Sequence, residues 1–437
     1  MYLTGRAVLL AAQGVVAALL VPRPLTVAVW AGIVVAAVAV DVWAAPSPRA
    51  LTVRRTATPA VRLGEPAQST VVVRSGGRRT ARLLVRDAWQ PSAGAGDNRH
   101  AMLLPPGQSR RVRTALRPTR RGERRGDLVT LRSRGPLGLA GRQASVEVPA
   151  SVLVLPPFHA RRHLPSRLAL LREMDGRAAV MTRGQGTEFD SLREYVIGDD
   201  VRAIDWRATA RAGDVVVRTW RPERDRRVLI VLDTGRLSAV RLGADTRLDA
   251  HLEAALLLAA LASHAGDRVD VVAVDTAVRA RVSGQRGAQL MSSLARELAV
   301  VEPALVETDW TEVTRVVHQT LSQRALVVLL TALDASSINN GILPVAQALA
   351  ADHTVVVASA TDPELDRLRA VSPAAADASD DDASVWLAAA AQRAVLEHAA
   401  ADVRLHRRGV EVVEAAAGAL PPQLADEYLK LKRAGRL

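Results

Sequence analysis

The sequence predicts a multidomain protein: an N-terminal transmembrane helical hairpin, a β-sandwich-like domain, and an α/β doubly wound parallel sheet. Three observations carry this reading. Two apolar runs open the chain, short alternating runs punctuated by glycine and proline follow, and from residue 227 near-continuous β-branched runs alternate with helical patterns. At 437 residues the chain exceeds one ordinary domain. The expected boundaries are 1–45 for the hairpin, 46–157 for a basic β domain, 158–226 for a linker and 227–437 for the α/β domain.

The first apolar run, "AVLLAAQGVVAALLV", is only just long enough for a hydrocarbon core of roughly 30 Å, even with residues 2–4 added. The second, "LTVAVWAGIVVAAVAVDVWAA", fits better; Asp41 interrupts it near its end, and Trp30 and Trp43 can serve as interfacial anchors. The "PRP" between them makes the two antiparallel neighbours. Arg6 precedes the pair and Arg49, Arg54 and Arg55 follow it, whereas the connecting loop holds only Arg23. The positive-inside bias therefore predicts an inner-membrane protein with both termini and the soluble domains in the cytoplasm. A cleaved signal peptide fits less well, because a second apolar run stands where a cleavage site and polar sequence belong.

Residues 46–157 read as strands: "LTVRRTATPAV", "QSTVVVRS", "TARLLVRDAW", "SRRVRTALRP", "GDLVTLRS" and "ASVEVPASVLVLP" alternate with period two between turn residues. Arginines fall mostly on the outward positions. Residues 47–162 hold 23 arginines against 6 carboxylates, about +17, while the whole chain is +13, so the charge is concentrated here. Nucleic acid is not the expected partner, since single-strand binders interleave aromatic platforms and this stretch has only Trp89 and Phe158. An anionic membrane surface needs no such platforms, and each juxtamembrane arginine is worth about 1 kcal/mol near it. Cysteine is absent, which excludes disulfides, thiolate metal clusters and a cysteine nucleophile.

The α/β domain is predicted from "VLIVLD", "RVDVVAVD", "ALVVLLTALD", "HTVVVASA" and "GVEVV", strands covered on both faces, with helices expected over 248–264, 289–300, 311–323, 343–351 and 385–401. Ligands of such sheets sit beyond the carboxyl ends of the strands, so the loops after Leu232 and Leu330 are the ones to inspect. The order resembles von Willebrand factor A domains, whose metal site wants Asp-x-Ser-x-Ser in the first loop, because a hard divalent cation needs several oxygens at about 2.0 to 2.6 Å. Here Asp233 is present but the hydroxyl positions are Gly235 and Leu237, with Ser238 one residue late. Thr308 is the candidate from the next loop, and the Thr-Asp pair reads Thr331-Ala332, with Asp334 displaced by two. About two of the five oxygens survive, so no tight metal and no cofactor is expected.

Weaker motifs carry little. "RGQGTEF" lacks the third glycine and the preceding strand of a dinucleotide fingerprint; "HARRH" spaces His159 and His163 as a helical pair without a catalytic glutamate; "DASDDDAS" reads as a solvated loop.

The densest chemistry lies in "EFDSLREYVIGDDVRAIDWRATAR", residues 188–211. Physically it looks like a capped helix: Gly198 turns the chain, Asp199 or Asp200 accepts the free amides, and Gly213 supplies a left-handed stop. Val201, Ile204 and Ala208 would form one stripe and Arg207 and Arg211 another, with Glu188, Asp190 and Glu194 as counter-charges. Arg202 and Trp206, four apart, are spaced for a cation–π contact. Arginine neighbours lower carboxylate pKa values, which suits an ion-pair scaffold or a docking surface better than acid–base turnover.

This stretch, with "RRGDLVTLRSRGPLGLAGR" before it, resembles domain-of-unknown-function family 58, membrane-anchored bacterial proteins with a von Willebrand factor A-like domain. The signature residues carried over are Glu188, Phe189, Arg193, Tyr195, Gly198, Asp199, Asp200, Arg202, Asp205, Trp206 and Arg211. The resemblance implies an adaptor or co-chaperone with a protein partner, an AAA+ ATPase of the MoxR type, and no small-molecule substrate. The expectation is thus a non-enzymatic membrane scaffold; the alternative is a metal-dependent hydrolase using Asp199, Asp200 or Asp205.

Overall fold

The computed structural model describes residues 1–181, 188–197, 199–221, 226–333, 341–369 and 382–437. They fall into two compact units, Met1–Pro157 and Phe158–Leu437.

In the first unit, strand β1 (Tyr2–Leu3) precedes two helices, Gly5–Leu20 and Pro24–Ala44. The helices pack where Gly14 admits the Trp30 indole, whose Nε1 donates to the Leu10 carbonyl at 3.1 Å. Pro24–Ala44 is long and apolar enough to cross a membrane. Gly5–Leu20 is shorter, and residues 2–4 do not lengthen it. Tyr2 and Leu3 pair as a strand with Gly141 and Ala140, and the Thr4 hydroxyl donates to the Gly138 carbonyl at 2.7 Å. The lone acid of the second run has a structural use: Asp41 is fully buried and accepts the backbone amides of Leu137, Leu139 and Ala140 at 2.7 to 2.8 Å. Three amides suffice to satisfy a carboxylate that burial would otherwise penalise. The turn from Gly135 to Gly138 is thereby fixed to the helices.

The strands that follow are β2 (Leu51–Ala57), β3 (Ala60–Arg62), β4 (Ala67–Ser75), β5 (Ala81–Asp87), β6 (Arg99–Leu104), β7 (Ser109–Leu116), β8 (Gly122–Arg134) and β9 (Ala140–Leu155). They form two sheets, β1-β9-β8-β5-β6 with β3 beside β9, and β2-β4-β7. Val71 and Val73 of one sheet meet Leu83, Val85, Val129 and Leu131 of the other in a shared core. The outward placing of arginine has an exception. Arg55 is buried, pairs with buried Asp87 at 2.7 Å, and donates to the carbonyls of Leu128 and Val148 at 2.7 and 2.8 Å. It is not available as a juxtamembrane charge.

The second unit begins by packing. Ala160 and Leu171, within the stretch expected to be a linker, are buried in its core, the latter on the helix Leu164–Met181. His159 and His163 lie in a 3-10 turn, not an α-helix. Strands β10 (Glu188–Glu194) and β11 (Val216–Arg221) form a two-stranded ribbon. The main sheet comprises β12 (Arg227–Asp233), β15 (Arg268–Val274), β16 (Val278–Val282), β17 (Leu326–Leu330), β18 (Thr354–Thr361) and β19 (Glu411–Ala416), with β13 (Arg241–Leu242) and β14 (Asp245–Thr246) in a small turn. Its order is β16-β15-β12-β17-β18-β19, parallel except for β16 at the edge.

Period two explains why the central strand reads as an unbroken apolar run. Val228, Ile230 and Leu232 enter a core roofed by the helices Arg247–His264 and Leu420–Arg433, while Leu229 and Val231 enter the opposite one, beneath Trp310–Thr320 and Leu343–Asp352. The helix Arg247–His264 begins in a capping box between Thr246 and Asp249 and is apolar on nearly every side.

Candidate functional site

Two places gather the predicted chemistry. The first is the signature segment. Val216 and Val217 are buried, so β11 seats the ribbon and β10 pairs along it, with a bulge between Phe189 and Ser191. Glu188 and Phe189 lie on β10 opposite Arg221 and Trp220; the side chains of Glu188, Phe189 and Asp190, and the whole of Gly198, lie outside the described residues. Tyr195 donates its backbone amide to the Val215 carbonyl at 2.7 Å, extending the pairing.

The single helix expected over this segment is instead two pieces. A 3-10 turn, Val201–Ala203, is capped by Asp200, which accepts the Arg202 amide at 2.9 Å. The chain then extends: Ile204 bridges to Val217, and the Asp205 amide donates to the Val216 carbonyl at 2.9 Å. Asp205 restarts the helix Trp206–Ala212 by accepting the amides of Arg207 and Ala208 at 3.0 Å, and Gly213, at φ +85°, ends it. Pairing with β11 thus overrides the helical spacing of Val201, Ile204 and Ala208.

The carboxylates are spent on different partners. Asp199 accepts both nitrogens of the Arg193 guanidinium at 2.6 and 2.8 Å and the Val196 amide at 2.9 Å. Asp205 pairs with Arg218 at 2.7 Å, a partner that sequence reasoning missed although it stands one residue after the buried Val217. The Ala208 amide, then Arg218, hold the Asp205 carboxyl below its ordinary range. The first pair closes within the segment and the second ties it to β11. Arg207 and Arg211 are exposed, Arg211 in the last helical turn where the dipole favours a cation. Apolar side chains remain outside: Ile197 is 96% exposed and Trp206 70%, with Val196 and Val201 also exposed.

The second place is the carboxyl end of β12. Asp233 is buried and accepts the Thr308 hydroxyl at 2.5 Å, the Thr331 hydroxyl at 2.6 Å and the Gly235 amide at 2.8 Å. Asp233, Thr308 and Thr331, all named from the sequence, therefore converge. Ser238 does point elsewhere, donating to the main-chain carbonyl of Asp233 at 2.6 Å. A Cβ at Gly235 would meet the Thr308 hydroxyl, so a side chain there would require Thr308 to give up its present contact with Asp233. Asp334 lies outside the described residues.

Burial pushes the Asp233 carboxyl above its ordinary value, against the opposing effect of the two hydroxyls and the amide. Neighbouring Asp275 goes the other way: burial opposes its ionisation, but Arg279 at 2.7 Å, the Thr234 hydroxyl and two amides outweigh it and lower its pKa. These residues do not fit a hard divalent cation. Both oxygens of Asp233 already accept hydroxyl protons, Asp275 is engaged by Arg279, and among the described residues no three of His, Cys, Asp and Glu gather as a metal group.

Several known proteins are similar to parts of the chain. Among solved structures, the complex of zinc 2-glycoprotein and prolactin inducible protein from human seminal plasma aligns with 23% of this chain and 92% of that one at 10% identity and a TM-score of 0.20. The CARDB domain of PF1109 from Pyrococcus furiosus aligns with 24% and 95% at 20% identity and a TM-score of 0.18. Scores so low transfer nothing. The uncharacterized proteins Rv1480 of Mycobacterium tuberculosis and Mb1516 of Mycobacterium bovis are each 28% identical over 182 residues, 41% of this chain. The chain covers 56% of the length of those relatives. Over residues 191–408, from within the signature ribbon through most of the parallel sheet, the chain matches the family described as Protein of unknown function DUF58.

Proposed function

We propose that the chain is a non-enzymatic, membrane-anchored adaptor whose von Willebrand factor A-like unit presents the signature segment to a partner protein in the cytoplasm. The partner implied by the family resemblance is an AAA+ ATPase of the MoxR type. One observation carries the reading: the signature exposes Ile197 and Trp206 beside carboxylates that are already occupied by guanidiniums and amides. Exposed aromatic and aliphatic side chains on a rigid, capped scaffold are what protein docking uses, and saturated carboxylates leave no group poised for proton transfer.

The hydrolase alternative on Asp199, Asp200 or Asp205 has no such support, because each of the three is engaged with a different partner and Asp205 is held ionised. Affinity capture of the detergent-solubilised full chain from its native membranes tests the proposal. An AAA+ ATPase co-elutes with the unaltered chain, and Ile197→Asp with Trp206→Ala reduces its recovery at least about tenfold at an unchanged melting temperature. Undiminished recovery of the ATPase would refute docking here, and manganese-dependent hydrolysis abolished by Asp205→Asn would establish the enzyme.

A further inference from the structure

The first unit carries a cavity of about 490 Å³ at the foot of the first N-terminal helix, Gly5–Leu20. It opens on the outward face of the β9-β8-β5-β6 sheet and on the turn that Asp41 fixes, and four arginines line it: Arg6, Arg82, Arg132 and Arg134. Register makes their crowding unavoidable. Arg82 of β5 lies directly opposite Arg134 of β8, and Arg132 stands two residues along the same face. Like charges opposite one another destabilise a strand pair. Among the described residues that line the cavity there is no carboxylate to relieve them.

The other walls are not those of a solvated basic face. Tyr2, held in place by β1 pairing, receives the Arg132 guanidinium over its ring at 5.1 Å. Leu103, opposite Arg82 on β6, is 58% exposed. Arg6 lies in the first turn of Gly5–Leu20 and leans on Gly138, whose φ of +74° and missing Cβ leave the guanidinium room. The cavity therefore adjoins the first turn of Gly5–Leu20.

From this we propose that the cavity is a binding site for the phosphate headgroup of an anionic phospholipid in the leaflet the helices enter. The four guanidiniums would hold the phosphate oxygens, and Tyr2 and Leu103 would receive the glycerol and the start of an acyl chain. Guanidiniums suit phosphate because their planar N–H forks match its oxygens, and lipid charge relieves the Arg82–Arg134 opposition that the described lining of the cavity leaves standing. The inference rests on the reading that Pro24–Ala44 crosses a bilayer, not on any partner protein.

The test uses the full chain in neutral detergent, titrated with phosphatidylglycerol or with phosphatidylcholine of the same acyl chains, with bound lipid counted by native mass spectrometry. Phosphatidylglycerol should bind at least about tenfold more tightly, since a zwitterionic headgroup supplies no net charge. Arg82→Gln with Arg134→Gln should weaken it about 30-fold, two juxtamembrane arginines at roughly fivefold each. Arg110→Gln with Arg113→Gln, on β7 in the other sheet, should leave it unchanged. If the first pair fails to fold, Arg6→Gln alone should weaken binding about fivefold. Equal binding of the two lipids, equal losses in both double variants, or displacement by inorganic phosphate would overturn the site. Release of the chain by alkaline carbonate wash would refute the anchor instead, and the titration in detergent would still decide the cavity.

Discussion

Two ion pairs in this molecule have the same length and opposite meanings. Arg55 and Asp87 meet at 2.7 Å with neither side chain exposed; Arg218 and Asp205 meet at 2.7 Å with side chains 46% and 14% exposed. The first guanidinium also donates to main-chain carbonyls of β8 and its neighbours and faces Trp89 at 5.4 Å, so its removal would leave polar groups stranded inside a sheet sandwich. Water can replace either member of the second pair. Distance alone therefore says nothing of what an ion pair does. Burial makes one a piece of architecture and leaves the other open to exchange with water.

Breaking the buried pair has the largest expected effect. Asp87→Ala leaves Arg55 charged and unpaired within the β unit, and should cost about 3–5 kcal/mol of unfolding free energy in a denaturant titration. Arg55→Met with Asp87→Leu together should recover only part of that loss, because the orphaned charge is gone but the carbonyls of Leu128 and Val148 lose their donor. A cost below about 1 kcal/mol for Asp87→Ala would show that water reaches the pair.

Burial without any counter-charge sharpens the same contrast. His251, on the helix Arg247–His264, is fully buried, and its Nε2 accepts the Ala360 amide at 3.2 Å. Burial, and secondarily the Arg247 charge, push its pKa down to about 3. The folded chain therefore holds it neutral while the unfolded chain protonates it below its ordinary value of 6.5. Its stabilising contribution is whole above that pH and is lost as pH falls toward 3, at about 1.4 kcal/mol per pH unit. His251→Gln should flatten the stability profile by that slope between pH 6 and pH 4, with the difference between the two proteins as the readout. Parallel profiles would mean that the imidazole is reached by water.

How far the sequence reveals these features follows from how uniform each environment is. β12, β15, β17, β18 and β19 are legible as apolar runs because both faces of the sheet are covered, so every position is asked for the same kind of side chain. β6 is not, because Arg99, Ala101 and Leu103 face outward and blur the pattern. The edge strand β16, "VRARV", is hidden in the same way. Arg55 was legible in principle: alternation puts consecutive Arg54 and Arg55 on opposite faces, so one of them had to point inward. Asp87 behind Arg86 carries the same message. The break in the signature helix was not legible, since Ile204 and Asp205 leave the helical path to reach Val216 and Val217, a contact set by tertiary pairing. At the Asp233 site the residue types were readable, but the approach of Thr308 to Gly235 depends on how two loops distant in sequence meet.

The smallest effect falls on the exposed pair, and it separates the two roles of Asp205. Its Oδ1 caps the helix Trp206–Ala212 through two amides, while Oδ2 meets Arg218. Asparagine keeps a capping oxygen and discards the charge; alanine discards both. Asp205→Ala should therefore lower the melting temperature measurably, whereas Asp205→Asn and Arg218→Ala should each shift it by no more than about 2 °C. Because the Asp205 pKa is depressed, the stability it contributes is present above its ordinary value of 3.8 and is lost only as pH falls below it, so these differences should be read at neutral pH. If Asp205→Asn and Arg218→Ala both matched Asp205→Ala in stability, the charge and not the cap would be holding the segment. The exposed pair would then be structural after all, and the contrast with Arg55 and Asp87 would fail.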